Sequence, residues 1–149
     1  IIIDFANGIS TTNYTTSGAI PEGEYIWGVK AYLSAGGETF FTTRSLLIDE
    51  TAPNSAVLSA PANGSQSFPG NVTFTWNNGT DPGTVNTIVT SQLEISTDIS
   101  FLNSDFYDVL GQTLDLNLST AGTYYWRVLN FDAAGNFASV SATNNFTLF

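Results

Sequence analysis

Apolar and polar residues alternate with a period of two along most of the chain. Val72, Phe74 and Trp76 point to one side of a segment whose other side carries Thr73 and Thr75. Leu93 and Ile95 flank Glu94, Leu114, Leu116 and Leu118 alternate with Asp115 and Asn117, and Tyr124, Trp126 and Val128 alternate with Tyr125 and Arg127. Successive side chains of a strand point to opposite faces, so each segment reads as a half-buried strand. No apolar segment keeps helical spacing across three turns, and the pattern predicts an all-β chain. The stretches between strands carry turn residues: Pro61 to Gly64, Asn77 to Gly83, and Asp132 to Asn136. They supply the fixed or positive φ that chain reversals need.

One self-similarity organises the rest. Gly23, Tyr25, Trp27 and Val29 return 99 positions later as Gly122, Tyr124, Trp126 and Val128, and Ala35-Gly36 returns as Ala134-Gly135. A fixed offset of this length marks one structural unit used twice, and it matches a seven-stranded sandwich of about 100 residues. The sequence therefore predicts the back half of one unit over residues 1–48, a linker over 49–53, and a complete unit over 54–149. The linker, Asp49-Glu50-Thr51-Ala52-Pro53, is short and polar and ends in a residue that cannot continue a helix.

The run from Trp76 through Leu118-Ser-Thr-Ala-Gly122-Thr-Tyr124-Tyr-Trp126 to Asp132-Ala-Ala-Gly135-Asn136 resembles the fibronectin type III-like repeats of bacterial secreted and surface proteins. These are Ig-like β-sandwiches. The entry segment from Asp49 through Ala52-Pro53 to Pro61-Ala-Asn63-Gly64 is also similar to the start of such repeats. The resemblance implies tandem sandwiches, the first incomplete and the second complete. It implies that Trp76 is the core tryptophan of the second strand, and that Leu118 with Tyr124 forms the tyrosine corner, whose hydroxyl ties a crossover to upstream backbone. Ile20 to Tyr25 repeats the corner, with Ile in place of Leu. The expected structural core is thus Tyr25, Trp27, Trp76, Leu118, Tyr124 and Trp126.

Composition limits what such a chain does. Apolar residues make up 42% and aromatic residues 13% of the 149, enough for a core. Lys30, Arg44 and Arg127 face thirteen acidic residues, for a formal charge of −10. That sign repels phosphate backbones and anionic headgroups, so nucleic acid and membrane insertion are not expected. With no His and no Cys, Ser-His-Asp and Cys-His constellations and the usual zinc sets are excluded. A two-carboxylate glycosidase needs a cleft, whereas Asp98, Asp105, Asp108 and Asp115 fall in turns or on outward faces. We expect no enzyme activity. Scarce lysine with abundant Asn, Ser and Thr points to a secreted or cell-surface protein, and the absence of an initiator Met to a processed product or fragment.

Two readings stand for the acidic loops. In the implied sandwich the loops holding Asp81 and Asp132 with Asn136 share one pole with the linker's Asp49 and Glu50. Hard oxygens in flexible loops suit Ca²⁺; Asp132 to Asn136 is equally a self-sufficient hairpin turn. No other cofactor is expected. Tyr107, Tyr125, Phe131 and Phe137, if outward, offer faces for surface glycans. Six Asn-X-Ser/Thr sequons, at Asn13, Asn63, Asn71, Asn78, Asn117 and Asn145, fit N-glycosylation or simply a polar exterior.

Residues 1–48 hold a corner strand and an edge strand over 39–48 but no counterpart of the Trp76 strand. Ile1 to Ile3, Trp27 and Val29 then need cover from preceding residues of the polypeptide or from another copy by strand complementation. The leading functional reading is a structural and adhesive repeat, a rigid spacer or assembly module of an extracellular protein or filament. The alternative is an accessory, carbohydrate-binding domain of a secreted polysaccharide-active enzyme.

Overall fold

The computed structural model describes residue 2 and residues 4–149. None of the described residues is helical. The chain divides into two compact units, Ile1–Asp49 and Glu50–Phe149.

The first unit is a two-stranded antiparallel ribbon. β1 (Gly23–Val29) pairs with β2 (Thr42–Ile48) from Gly23↔Ile48 to Val29↔Thr42. The expected edge strand over 39–48 starts three residues late. Thr39 instead closes the hairpin, its N–H on the Ala31 carbonyl at 2.9 Å and its Oγ1 accepting from Ala31 N at 2.9 Å. Trp27 does not enter a core: it is 48% exposed, with Ile26 and Val29 more so. The reason is geometric. A ribbon buries side chains only where something lies over its face, and the first unit has no second sheet among the described residues. Tyr25 is half-buried. Ile1 and Ile3 lie outside the described residues.

The second unit is a closed sandwich. One sheet has the order β3-β5-β8, from β3 (Val57–Ala60), β5 (Gly70–Asn77) and β8 (Thr113–Leu118). The other has the order β4-β10-β9-β6-β7, from β4 (Ser65–Ser67), β6 (Thr90–Ser96), β7 (Asp105–Val109), β9 (Gly122–Phe131) and β10 (Asn144–Leu148). All pairings are antiparallel except β4 with β10.

The alternation in the sequence decides the core. Val72, Phe74 and Trp76 of β5 meet Leu93 and Ile95 of β6, Trp126 and Val128 of β9, and Phe146 and Leu148 of β10. Phe74 is the hub, its ring edge-on to Trp126 at 5.2 Å and to Phe146 at 5.8 Å. Truncating such a ring costs about 3–5 kcal/mol, because the cavity adds to the lost transfer energy. Leu118 and Tyr124 are half-buried and pack against this cluster.

The two units share the corner bond and the backbone bonds of the hairpin. The Tyr25 hydroxyl donates to the Pro21 carbonyl at 2.8 Å, and the Tyr124 hydroxyl to the Thr120 carbonyl at 2.9 Å, both partners displaced by 99. Leu33 N bonds Gly37 O and Asp132 N bonds Asn136 O, each at 3.0 Å. The bridges Tyr32↔Glu38 and Phe131↔Phe137 keep the same offset. Tyr25 pairs with Leu46 and Tyr124 with Phe146, so the second unit holds one extra residue between its two strands. What differs is the cover. β6 runs along β9 from Thr90↔Phe131 to Ser96↔Tyr125, whereas among the described residues of the first unit β1 has only β2 beside it.

Candidate functional site

At one pole of the second unit the β5–β6 loop meets the β9–β10 hairpin. Asp81 and Asp132 are 3% and 5% exposed, and each offers a carboxylate oxygen within 4.8 Å of the other's. At an effective dielectric of about 20, two full charges at that distance repel by roughly 3–4 kcal/mol. N–H and O–H donors offset the repulsion. Asp132 Oδ1 accepts from the backbone of Ala134, Gly135 and Asn136 at 2.7–2.9 Å, and its Oδ2 from Asn136 Nδ2 at 2.8 Å. Asp81 Oδ2 accepts from Thr87 N at 2.9 Å and Thr87 Oγ1 at 2.8 Å, and Gly83 N reaches Oδ1 at 3.4 Å. Thr87 Oγ1 in turn accepts from Ala133 N at 3.1 Å, tying one loop to the other. Hydrogen bonds to ionised groups contribute about 1.5–3 kcal/mol each, so the pole is organised by its own carboxylates.

The hairpin does not need the carboxylate to turn. Leu33 occupies the place of Asp132 in the first unit, and the backbone bonds there are the same. Gly36 and Gly135 supply the left-handed φ, at 82° and 95°. Asp132 therefore adds a constraint to a turn that forms without it.

Of the five residues expected to ligate a cation, the second unit brings together Asp81, Asp132 and Asn136. Glu50 is exposed, and Asp49, 8% exposed, is the last residue of the first unit. The four surface carboxylates serve separate neighbours or none: Asp98 caps Ser100 N, Asp108 accepts from Gln92, and Asp115 accepts from Thr73. Among the sequons, Asn13, Asn63, Asn71 and Asn117 are exposed. Asn145 is half-buried and donates its side-chain amide to Asn63 Oδ1. Asn78 is half-buried and engaged on both sides of its amide, accepting from Trp76 Nε1 at 2.8 Å and Ser91 Oγ at 2.7 Å and donating to the Val89 carbonyl at 3.0 Å. Of the aromatics proposed for sugar stacking, Phe137 is 65% exposed beside Phe131, whereas Tyr107 packs against the core.

Sequence reasoning missed the buried polar chain behind this pole. Ser91 Oγ lies 3.0 Å from Asn130 Oδ1, and Asn130 Nδ2 donates to the Asn54 carbonyl at 3.0 Å. The signal was present, since Ser91 shares its face with Leu93 and Ile95, and Asn130 with Trp126 and Val128. Polar residues at inward positions demand partners.

No protein-family model matches the chain, and no curated protein sequence does. Solved structures share its architecture. Chicken CNTN1 FN1–FN3 domains superpose with a TM-score of 0.59 at 19% identity, over 87% of this chain and 44% of that one. The rat CD45 extracellular region, domains d3–d4, gives 0.53 at 10% identity over 95% and 72%. A fibronectin type III domain of human fibronectin type III domain containing protein 3 gives 0.46 at 16% over 68% and 90%. The first two likenesses, at such identities, show the fold alone: an all-β, fibronectin type III-like sandwich. No helix among the described residues is long and apolar enough to cross a membrane.

Proposed function

We propose that this chain is a non-catalytic structural and adhesive segment of an extracellular surface protein or filament, built from rigid sandwich modules. In this reading the first unit is the rear half of a module, and residues that precede it in the polypeptide supply strands of the same chemistry as β3 to β8. One observation carries the reading: the hydrogen bonds of the corner and hairpin repeat at an offset of 99, yet Trp126 is fully buried and Trp27 is 48% exposed. An apolar ribbon face of this kind is an assembly surface. The acidic pole serves as a clamp between two loops.

The test grafts residues 54–119 directly ahead of Pro21 in the full chain, giving the first unit a front half. A second cooperative transition and burial of Trp27 are the expected results. Unchanged solvent access of Trp27 in the grafted chain would overturn the modular reading. Concentration-dependent association of the ungrafted chain, lost on grafting, would instead assign the cover to another copy.

A second reading, an accessory domain that binds polysaccharide beside an enzyme, draws on one feature. A mixed polar and aromatic cavity opens at the opposite end of the second unit from the acidic pole.

A further inference from the structure

Three asparagines precede glycine, at Asn7-Gly8, Asn63-Gly64 and Asn78-Gly79. Such a pair is chemically labile, because a glycine has no Cβ to keep its backbone nitrogen away from the side-chain carbonyl of the asparagine before it. Base removes the Gly N–H proton, the nitrogen bonds to the asparagine Cγ, and Nδ2 leaves as ammonia with a proton taken from water. Water then opens the cyclic imide at one of its two carbonyls, giving aspartate or isoaspartate. The reaction needs no enzyme and no co-reactant other than water. It does need a carboxamide free to turn and a Gly N–H that is not already spent on a hydrogen bond.

The fold restrains two of the three pairs. Asn63 Oδ1 accepts from Asn145 N and from Asn145 Nδ2, each at 2.9 Å, while Gly64 N donates to Asn145 O at 2.7 Å. Electrophile and nucleophile are thus both tied to one residue of β10. Asn78 is held more firmly: Trp76 Nε1, Ser91 Oγ and the Val89 carbonyl engage both ends of its half-buried carboxamide. Gly79 beside it lies so close to Asn54 that a Cβ would meet the Asn54 carbonyl oxygen at 1.9 Å. Turning the Asn78 carboxamide toward Gly79 N breaks these bonds without new partners, so attack waits for the unit to open.

Asn7 has none of this restraint. It and Gly8 are exposed and outside any strand, and among the described residues no hydrogen bond reaches either. We propose that Asn7 is a site of spontaneous deamidation in the folded chain, and that Asn63 and Asn78 convert only once their unit opens. The product at Asn7 puts a carboxylate into the first unit and takes the formal charge one unit below −10. At Asn78 the product is a trap. Its carboxylate cannot donate to the Val89 carbonyl, which the native Nδ2 reaches at 3.0 Å. A chain that stays open long enough to convert there does not regain the buried network.

The experiment incubates the 149-residue chain at mildly alkaline pH, native and unfolded in guanidinium chloride, and follows the three sites by peptide mass spectrometry with fragmentation that separates isoaspartate from aspartate. Conversion at Asn7 should agree within about threefold between the two states, whereas Asn63 and Asn78 should be at least roughly tenfold slower in the native one, where attack waits on opening. Gly8→Ala should slow conversion at Asn7 in both states and leave the other two sites unchanged. Asn78→Asp, made directly, should lower the denaturant midpoint of the second unit, and Asn7→Asp should not. A native Asn7 that stays intact while the unfolded chain converts, or native Asn63 and Asn78 converting as fast as Asn7, would overturn the proposal. An Asn78→Asp chain as stable as the parent would overturn the trap.

Discussion

Substitution of Gly79 by Ala probes the most crowded glycine of the second unit. A Cβ built there would lie 1.9 Å from the Asn54 carbonyl oxygen and 2.3 Å from its carbon. Glycine is required here for space, because its φ lies outside the left-handed region. Ordinary contact is about 3.5 Å, so one segment must move by more than an ångström. Asn54 cannot yield cheaply: its N–H is bonded to Thr80 O at 2.9 Å, and its carbonyl accepts from buried Asn130 at 3.0 Å. Overpacking costs about 1–3 kcal/mol. Stranding the Asn130 amide, which is fully buried, adds about 1–3 more. Gly79→Ala should therefore destabilise the unit by about 2–6 kcal/mol, much of the roughly 5–15 kcal/mol available to such a domain. Gly111→Ala, where a Cβ meets nothing within 4 Å, should stay within about 0.5 kcal/mol. Urea titrations followed by tryptophan fluorescence measure both. A Gly79→Ala chain as stable as Gly111→Ala would refute the close approach and the role given to Asn54.

Three further outcomes follow from the carboxylates. Asp132→Ala deprives three backbone N–H groups of their acceptor and should cost about 2–4 kcal/mol in the same titration. If the acidic pole is a clamp, millimolar Ca²⁺ leaves the melting temperature unchanged relative to chelator, and a rise of several degrees would assign a cation to it. In the first unit, hydrogen bonds led by that from Ser17 N hold the Asp4 carboxyl below its ordinary pKa. A depressed folded pKa gives order that is present above the ordinary value near 3.9 and is lost as pH falls through the folded one. The protection of the Phe5 and Ser17 amides, as the ratio of intrinsic to observed exchange, should fall below about pH 4 and stay constant between pH 5 and 8.

Period-two alternation was enough to place Phe74, Trp76, Trp126 and Val128 between two sheets, because parity along a strand depends only on local order. It could not separate Trp27 from Trp126, which carry the same local pattern. Burial is set by strands far away in the chain, and β5 and β6 are what cover Trp126. Phe146 and Leu148 were readable by the same alternation and went unassigned. At the loop pole, Asp81 and Asp132 were placed together through the implied sandwich. The bridge by Thr87 and the approach of Gly79 to Asn54 depend on loop geometry that no periodicity encodes.

Hydrogen exchange of the three tryptophan indole N–H groups tests most directly that one half-sandwich chemistry occurs twice, covered in one unit and open in the other. The indole of Trp126 should exchange only with opening of the whole second unit, and that of Trp27 at close to the rate of a free indole. Comparable protection of Trp27 and Trp126 in the 149-residue chain would contradict the account.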